Sequence, residues 1–149
     1  MIIREFRHDD TYYLHRIASL SLDEEYAPEI FPYFHGQWPS GQVVACGYDD
    51  VPVGFISAVL TEPSSARIMM FAVDPEHRSR GVGSGIMAAF RQRAAMHGVR
   101  SITLEVRIQN EDAISFYRKR GFIPCGVLQG LYRDGGDALR MTSSVQLNI

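Results

Sequence analysis

Cysteine is scarce in this chain and lysine scarcer. Two cysteines, Cys46 and Cys125, among 149 residues are too few for a disulfide framework or a thiolate metal cage, so both are expected to be buried thiols without a redox role. Of the 15 basic residues only Lys119 is a lysine, and the arginine bias suits bidentate phosphate contacts. A charge excess is missing as well: a net charge of -2 gives no general attraction to nucleic acid or to anionic membranes, and neither partner is expected. No apolar run approaches membrane-spanning length. The opening MIIREFRHDDTYYLHRI carries charges every few residues where a signal peptide needs an unbroken apolar stretch, so a cytoplasmic location is expected. Internal repeats and biased tracts are also absent. What is present is an ordinary balance, 46% hydrophobic and 21% charged, over a length that suits one domain spanning residues 1–149.

MIIREF alternates like a short edge strand. HDDTYYLHRIASLSL follows as a helix, with Asp9 or Asp10 as N-cap and Tyr13, Ile17 and Leu20 at helical spacing. The next stretch, DEEYAPEIFPYFHGQWPSG, has three prolines that prevent one long helix and reads as a short helix inside a substantial loop. QVVACGYDDVPVGFISAVL reads as two strands joined at Asp49-Asp50, and ARIMMFAVDP as a third, closed by Pro75. From Ser84 the period becomes 3.6, with Ile86, Met87, Phe90 and Ala94 on one stripe and Gly98 as the stop. SITLEVR alternates, so Ile102, Leu104 and Val106 share one face while Thr103, Glu105 and Arg107 share the other. Asn110 caps a helix over EDAISFYRKR that ends at Gly121, and FIPCGVL and LRMTSSV close the chain as strands around RDGGD. The order predicts an α/β sandwich: a mixed, mostly antiparallel central sheet flanked by helices.

Between strand and helix lies HRSRGVGSGIM, residues 77–87. Glycines at 81, 83 and 85 let backbone N–H groups approach an anion at the helix's positive end, and Arg78 and Arg80 offer charge-assisted bonds to a diphosphate. A glycine-rich turn with solvated arginines is the alternative. A Walker loop requires Gly-Lys-Ser/Thr, which is absent, and Ile86 occupies the third glycine place of a dinucleotide fingerprint.

The segment FAVDPEHRSRGVGSGIM resembles the Arg/Gln-x-x-Gly-x-Gly acyl-CoA segment of the GNAT superfamily of N-acetyltransferases, here Arg78-Ser79-Arg80-Gly81-Val82-Gly83. LEVRIQNEDAISFYRKRGF is similar to a second segment of that superfamily. Together with LYRDGGDALRM, these segments resemble the branch that acetylates protein N-termini, including the ribosomal-protein-alanine acetyltransferases. LDEEY, residues 22–26, resembles the substrate-side Leu-Pro-Glu-Asn-Tyr stretch of archaeal members, with Asp23 in place of proline and Glu25 in place of asparagine.

The resemblance implies acetyl-CoA as co-substrate, no metal, and a protein or peptide N-terminus as acceptor. A small amine as acceptor, or a CoA-binding module without catalysis, are the other readings, and the residues assign no oligomeric state. By the same resemblance the backbone at Phe71, Ala72 and Val73 pairs with the pantetheine arm, and residues Arg78, Ser79, Arg80, Gly81, Val82, Gly83 and Ser84 hold the pyrophosphate. Asn110 either bonds the CoA arm or only caps its helix. A protein α-amine has a pKa of about 7.7–8.0 and a lysine about 10.4, so a modest base suffices for an N-terminus. The resemblance gives that base to Glu105; pairing with Arg107 or Arg140 is its plain structural alternative. Tyr117 is the implied acid for the departing thiolate and also touches the cofactor, with core packing as the competing account. Glu24 is a second carboxylate, orienting the acceptor or relaying its proton. Tyr26, Phe31, Tyr33, Phe34 and Tyr132 either wall a peptide slot or form a local mini-core.

Overall fold

The computed structural model describes residues 1–146. Seven strands form one sheet: β1 (Ile2–Glu5), β2 (Gln42–Cys46), β3 (Pro52–Glu62), β4 (Ser65–Val73), β5 (Ser101–Arg107), β6 (Ile123–Leu128) and β7 (Ala138–Ser144), in the spatial order β1-β2-β3-β4-β5-β7-β6. Every neighbouring pair is antiparallel except β4 and β5. Four helices accompany it, α1 (Thr11–Ser21), α2 (Ile30–Gln37), α3 (Val82–Met96) and α4 (Glu111–Arg118). The expected element order and the mostly antiparallel sheet are both observed. Among the described residues no helix is long and apolar enough to cross a membrane.

α3 is the crossover that parallel pairing of β4 and β5 requires. Its stripe of Ile86, Met87, Phe90 and Ala94 is fully buried against Ile102, Leu104 and Val106 of β5 and Val43, Ala45 and Ile56 of β2 and β3. The other sheet face carries a second cluster, where Leu14, Ile17 and Ala18 of α1 and Phe31 and Phe34 of α2 pack on Val44, Phe55, Met70 and Ala72. Burying each of the larger side chains contributes about 1.5–3 kcal/mol, so α1 and α2 hold to the sheet through these contacts.

A bulge in β4 shapes everything that follows. Ser57 lies opposite Met70 but Ala58 lies opposite Ile68, so Met69 is the extra residue. Ala66 and Ile68 therefore belong to the α3 cluster while Met70 and Ala72 belong to the α1–α2 cluster. Such a bulge bends its strand. Beyond it β4 parts from β5: the two pair only over Ser65–Arg67 and Ser101–Thr103. β4 continues along β3 to Val73, and β5 continues along β7 to Arg107.

Several details differ from the sequence reading. The buried face of α1 is Leu14, Ile17 and Ala18, and Leu20 is exposed, because the helix docks one position out of phase with the expected stripe. Asp10 stands at the N-cap of α1 without capping it. Its buried carboxylate instead receives Arg4 Nη1 and Nη2 at 2.8 and 2.9 Å and the Arg7 N–H at 2.7 Å, which stitches β1 to the start of the helix. Cys46 is buried as expected, and burial pushes its thiol up to about 11. Cys125 is exposed, since β6 is an edge strand with little packed on it. α3 begins at Val82, not Ser84, so Gly83 and Gly85 lie inside its first turn and a half.

Candidate functional site

Where β4 and β5 diverge, the sheet opens into a cavity of about 1020 Å³. One wall is a strand edge. Asp74 donates its N–H to Val53 O at 2.8 Å, so the antiparallel alternation turns Ala72 toward β3 and leaves the polar groups of Phe71 and Val73 facing the gap. The Val73 carbonyl is covered by Ser21 Oγ at 3.3 Å and by Arg78 Nε at 3.2 Å. Ala72 also lines the cavity.

The N-terminus of α3 forms the corner of that wall. Ser79 has φ +62° and Gly81 has φ +80°. Left-handed residues set into such a turn aim successive N–H groups at one point, and a non-glycine residue held there marks a place where the fold imposes strain. Gly85 donates its N–H to Gly81 O at 3.0 Å, so the free amides are those of Val82, Gly83 and Ser84. A β-carbon on Gly83 would sit 3.5 Å from Phe71 and 3.6 Å from Phe116, whereas one on Gly85 would meet Ile3 and Met1. Gly83 thus stands beside the free amides with ordinary contact room for a methyl, and Gly85 lets β1 close on the helix and stands outside the cavity lining.

Across the gap stands α4. Asn110 Oδ1 accepts the Ala113 N–H at 3.2 Å and caps the helix while also lining the cavity. An aromatic chain carries Tyr117 to the gap: Phe71 lies 5.6 Å from Phe116 and 6.3 Å from Tyr117, and Tyr117 lies 5.6 Å from Phe122. Burial pushes the Tyr117 phenol well above its ordinary value of about 10, with Tyr132 adding to the effect. The hydroxyl therefore stays protonated throughout the neutral range.

Glu105 lies on the floor, its side chain only 6% exposed. Oε1 accepts from Arg67 Nη2, and Oε2 lies 3.4 Å from Arg140 Nε. The remaining wall is made by two loops. Glu24 Oε1 accepts the Arg133 N–H at 3.0 Å, and Tyr26 and Tyr132 both line the space. Burial is the first cause that raises each of these phenols.

With this geometry in view, comparison with known proteins is decisive. Residues 7–122 match the acetyltransferase (GNAT) family. The chain belongs to that family. N-alpha-acetyltransferase 30 of Schizosaccharomyces pombe is 33% identical over 138 residues, covering 86% of this chain and 89% of the relative. The crystal structure of Ard1 from Thermoplasma volcanium superposes with a TM-score of 0.95 at 37% identity, covering 98% of each chain. Naa20 of Chaetomium thermophilum, solved in complex with a bisubstrate analogue, superposes with a TM-score of 0.84 at 25% identity, covering 97% of this chain and 87% of that one. The resemblance to the GNAT superfamily is therefore borne out.

In this GNAT acetyltransferase the cavity gathers nearly all the residues singled out in the sequence: Glu24, Tyr26, Phe71, Ala72, Val73, Arg78, Ser79, Gly81, Val82, Gly83, Ser84, Glu105, Asn110, Tyr117 and Tyr132. Arg80 is exposed and stands outside the lining. Phe31 and Phe34 are core residues of the α1–α2 layer, with Phe34 also touching the cavity, and Tyr33 is exposed. The Glu105 partners are Arg67 and Arg140. Arg107 instead reaches outward to Asp23 and Asp134.

Sequence reasoning missed three guanidiniums. Arg67 comes from the last paired position of β4. Arg107 lies at the end of β5. Arg120 follows α4, stacks 3.5 Å from the Phe116 ring centroid, donates to Phe116 O at 2.9 Å and bonds Ser84 Oγ. It thus brings a cation to the free amides of α3. Its place in YRKRGF beside two other basic side chains, Arg118 and Lys119, gave no signal of this.

Proposed function

We propose that this GNAT acetyltransferase moves the acetyl group of acetyl-CoA to the α-amine at a protein or peptide N-terminus, by direct attack with both substrates bound. One observation carries the reading: a strand edge and a helix N-terminus form one wall of the cavity, and loops bonded to each other close the opposite side. The Glu24 bond to Arg133 and the pairs that Arg107 makes with Asp23 and Asp134 join residues 22–26 to residues 131–134. The space beneath them suits the end of a chain better than its middle.

The residues fit the co-substrate. The polar groups of Phe71 and the N–H of Val73 offer an edge without a strand partner for an amide-bearing arm, as a further strand would use it, while the Val73 carbonyl is held by Ser21 and Arg78. The amides of Val82, Gly83 and Ser84, with Arg78 and Arg120, suit a diphosphate. Bound acetyl-CoA supplies an activated thioester. The Val73 N–H, on the same edge, is placed to polarise a carbonyl. Glu24 draws the α-amine into the slot. Both Glu105 oxygens are engaged by guanidiniums, so the amine's proton reaches that carboxylate through a water. Tyr117, kept protonated by burial, donates to the sulfur as the carbon–sulfur bond breaks.

Incubating the protein with acetyl-CoA and short peptides of varied first residue, with release of free thiol and peptide mass followed together, tests this. Acetylation at the α-amine is expected. Turnover with free small amines alone, or CoA binding without turnover, contradicts it.

A further inference from the structure

Arg107 lines the cavity but takes no part in the transfer steps above, and its contacts go beyond joining the two loops. Arg107, at the C-terminal end of β5, holds Asp23 Oδ2 at 2.7 Å through Nε and Asp134 at 3.1 Å through Nη1, and its guanidinium lies 4.2 Å from the Tyr132 ring centroid. Only about a fifth of its side chain is exposed, whereas both aspartates are mostly exposed. The three contacts use three different parts of one planar group. Lysine offers a point charge and no plane to stack.

We propose that Arg107 is a positioning residue for the acceptor: it registers the 22–26 loop against the 129–137 loop and so sets where Tyr132 and Glu24 stand. Asp134 serves both sides of this tie. Its Oδ1 also accepts the Gly136 N–H at 2.9 Å, which shapes the turn that carries Tyr132. Tyr132 in turn receives the backbone of that turn, with its N–H on Gly136 O at 3.2 Å and its carbonyl accepting from Gly135 at 2.9 Å. On the opposite loop the neighbour of Asp23 is Glu24, whose carboxylate accepts the Arg133 N–H. Arg107 touches neither the β4 edge nor the first turn of α3 in any bond found among the described residues, so the co-substrate wall does not depend on it.

This inference rests on the acceptor reading above, and its test separates the two. Arg107→Gln and Arg107→Lys are compared with the unaltered chain in three measurements. In the peptide assay, Arg107→Gln raises the KM for the peptide about tenfold, with kcat within about twofold and the acetyl-CoA Kd unchanged, and Arg107→Lys recovers only part of the loss. By hydrogen exchange without any substrate, amides in both loops exchange about tenfold faster in Arg107→Gln, together. In a double-mutant cycle, Asp23→Asn weakens peptide KM in the unaltered chain and adds nothing in the Arg107→Gln background. Unchanged loop exchange overturns the proposal, as does an acetyl-CoA Kd that worsens with the peptide KM, or additive effects of the two substitutions. If the unaltered protein acetylates no peptide, the acceptor reading fails and the exchange measurement still decides whether Arg107 ties the loops.

Discussion

On the β4–α3 side of the cavity the polar groups are chiefly main-chain ones, at Phe71, Val73 and the turn from Val82 to Ser84, with Arg78 and Arg120 beside them, whereas on the loop side they are the side chains of Asp23, Glu24 and Arg107, with Asp134 behind Arg107. A wall of main chain is insensitive to most substitutions and vulnerable to shape: it fails when a branched side chain fills the approach. A wall of ion pairs is insensitive to shape and vulnerable to charge. The first wall suits a ligand whose structure never varies, and the second suits a family of chain ends that differ in their first side chains.

The sharpest way to break that contrast is at Gly83. A single methyl there meets Phe71 and Phe116 at ordinary contact distance, so Gly83→Ala is expected to bind acetyl-CoA nearly as the unaltered chain does. Gly83→Val puts branch methyls over the free amides, and calorimetry should show an affinity loss of about a hundredfold, about 2.7 kcal/mol. Equal binding by both variants would remove the main-chain cradle.

Tyr117→Phe keeps the aromatic chain and deletes the donor. We expect kcat to fall about a hundredfold with acetyl-CoA affinity little changed. The same substitution has a signature in stability. The folded Tyr117 phenol lies above its unfolded value, so its contribution is complete below pH about 10 and is lost as pH rises above that. Tyr117→Phe should make the alkaline decline in melting temperature shallower and remove the latest step of a phenol absorbance titration. An unaltered titration would mean the ring is not buried as described.

Glu105→Gln tests the floor where the two walls meet. A kcat loss of about tenfold is expected near neutral pH, growing as pH falls because fewer acceptor amines are already neutral. A rate profile identical to that of the unaltered enzyme would remove Glu105 from the proton path. The smallest effect belongs to Glu24→Gln, which weakens one exposed bond and one attraction to the amine. Peptide KM should rise about threefold with acetyl-CoA binding untouched.

The same contrast explains what could be read from the sequence. The main-chain wall was legible because its requirements are local: the α3 stripe, the turn at Gly81 and the alternation of SITLEVR all show within a dozen residues, and each stands where expected. The start of α3 was misplaced by two residues because Gly83 and Gly85 weaken the helical signal without preventing the helix, and Gly85 proved to be a packing position. The side-chain wall was legible only in part. Glu24, Tyr26 and Tyr132 were found through resemblance to relatives. Arg107 was not, since its partners at 23 and 134 lie far from it in the chain and ion pairs have no period. Arg67 was hidden in the same way, because a strand reading that places Glu105 on a face cannot show that β4 pairs beside β5 with Arg67 opposite Thr103, two residues from Glu105. Phe31 and Phe34 stayed open between slot and mini-core because a short helix with a proline shows too few turns to fix its phase, and in α2 they take the core role.

The central claim is that the exposed edge of β4 and the first turn of α3 grip acetyl-CoA, and amide hydrogen exchange with and without that ligand tests it most directly. The account predicts that acetyl-CoA slows exchange at Phe71, Val73, Val82, Gly83 and Ser84 while the amide of Gly85, already bonded to Gly81, changes little. Saturable binding that leaves the first five amides exchanging at their unliganded rates would contradict it.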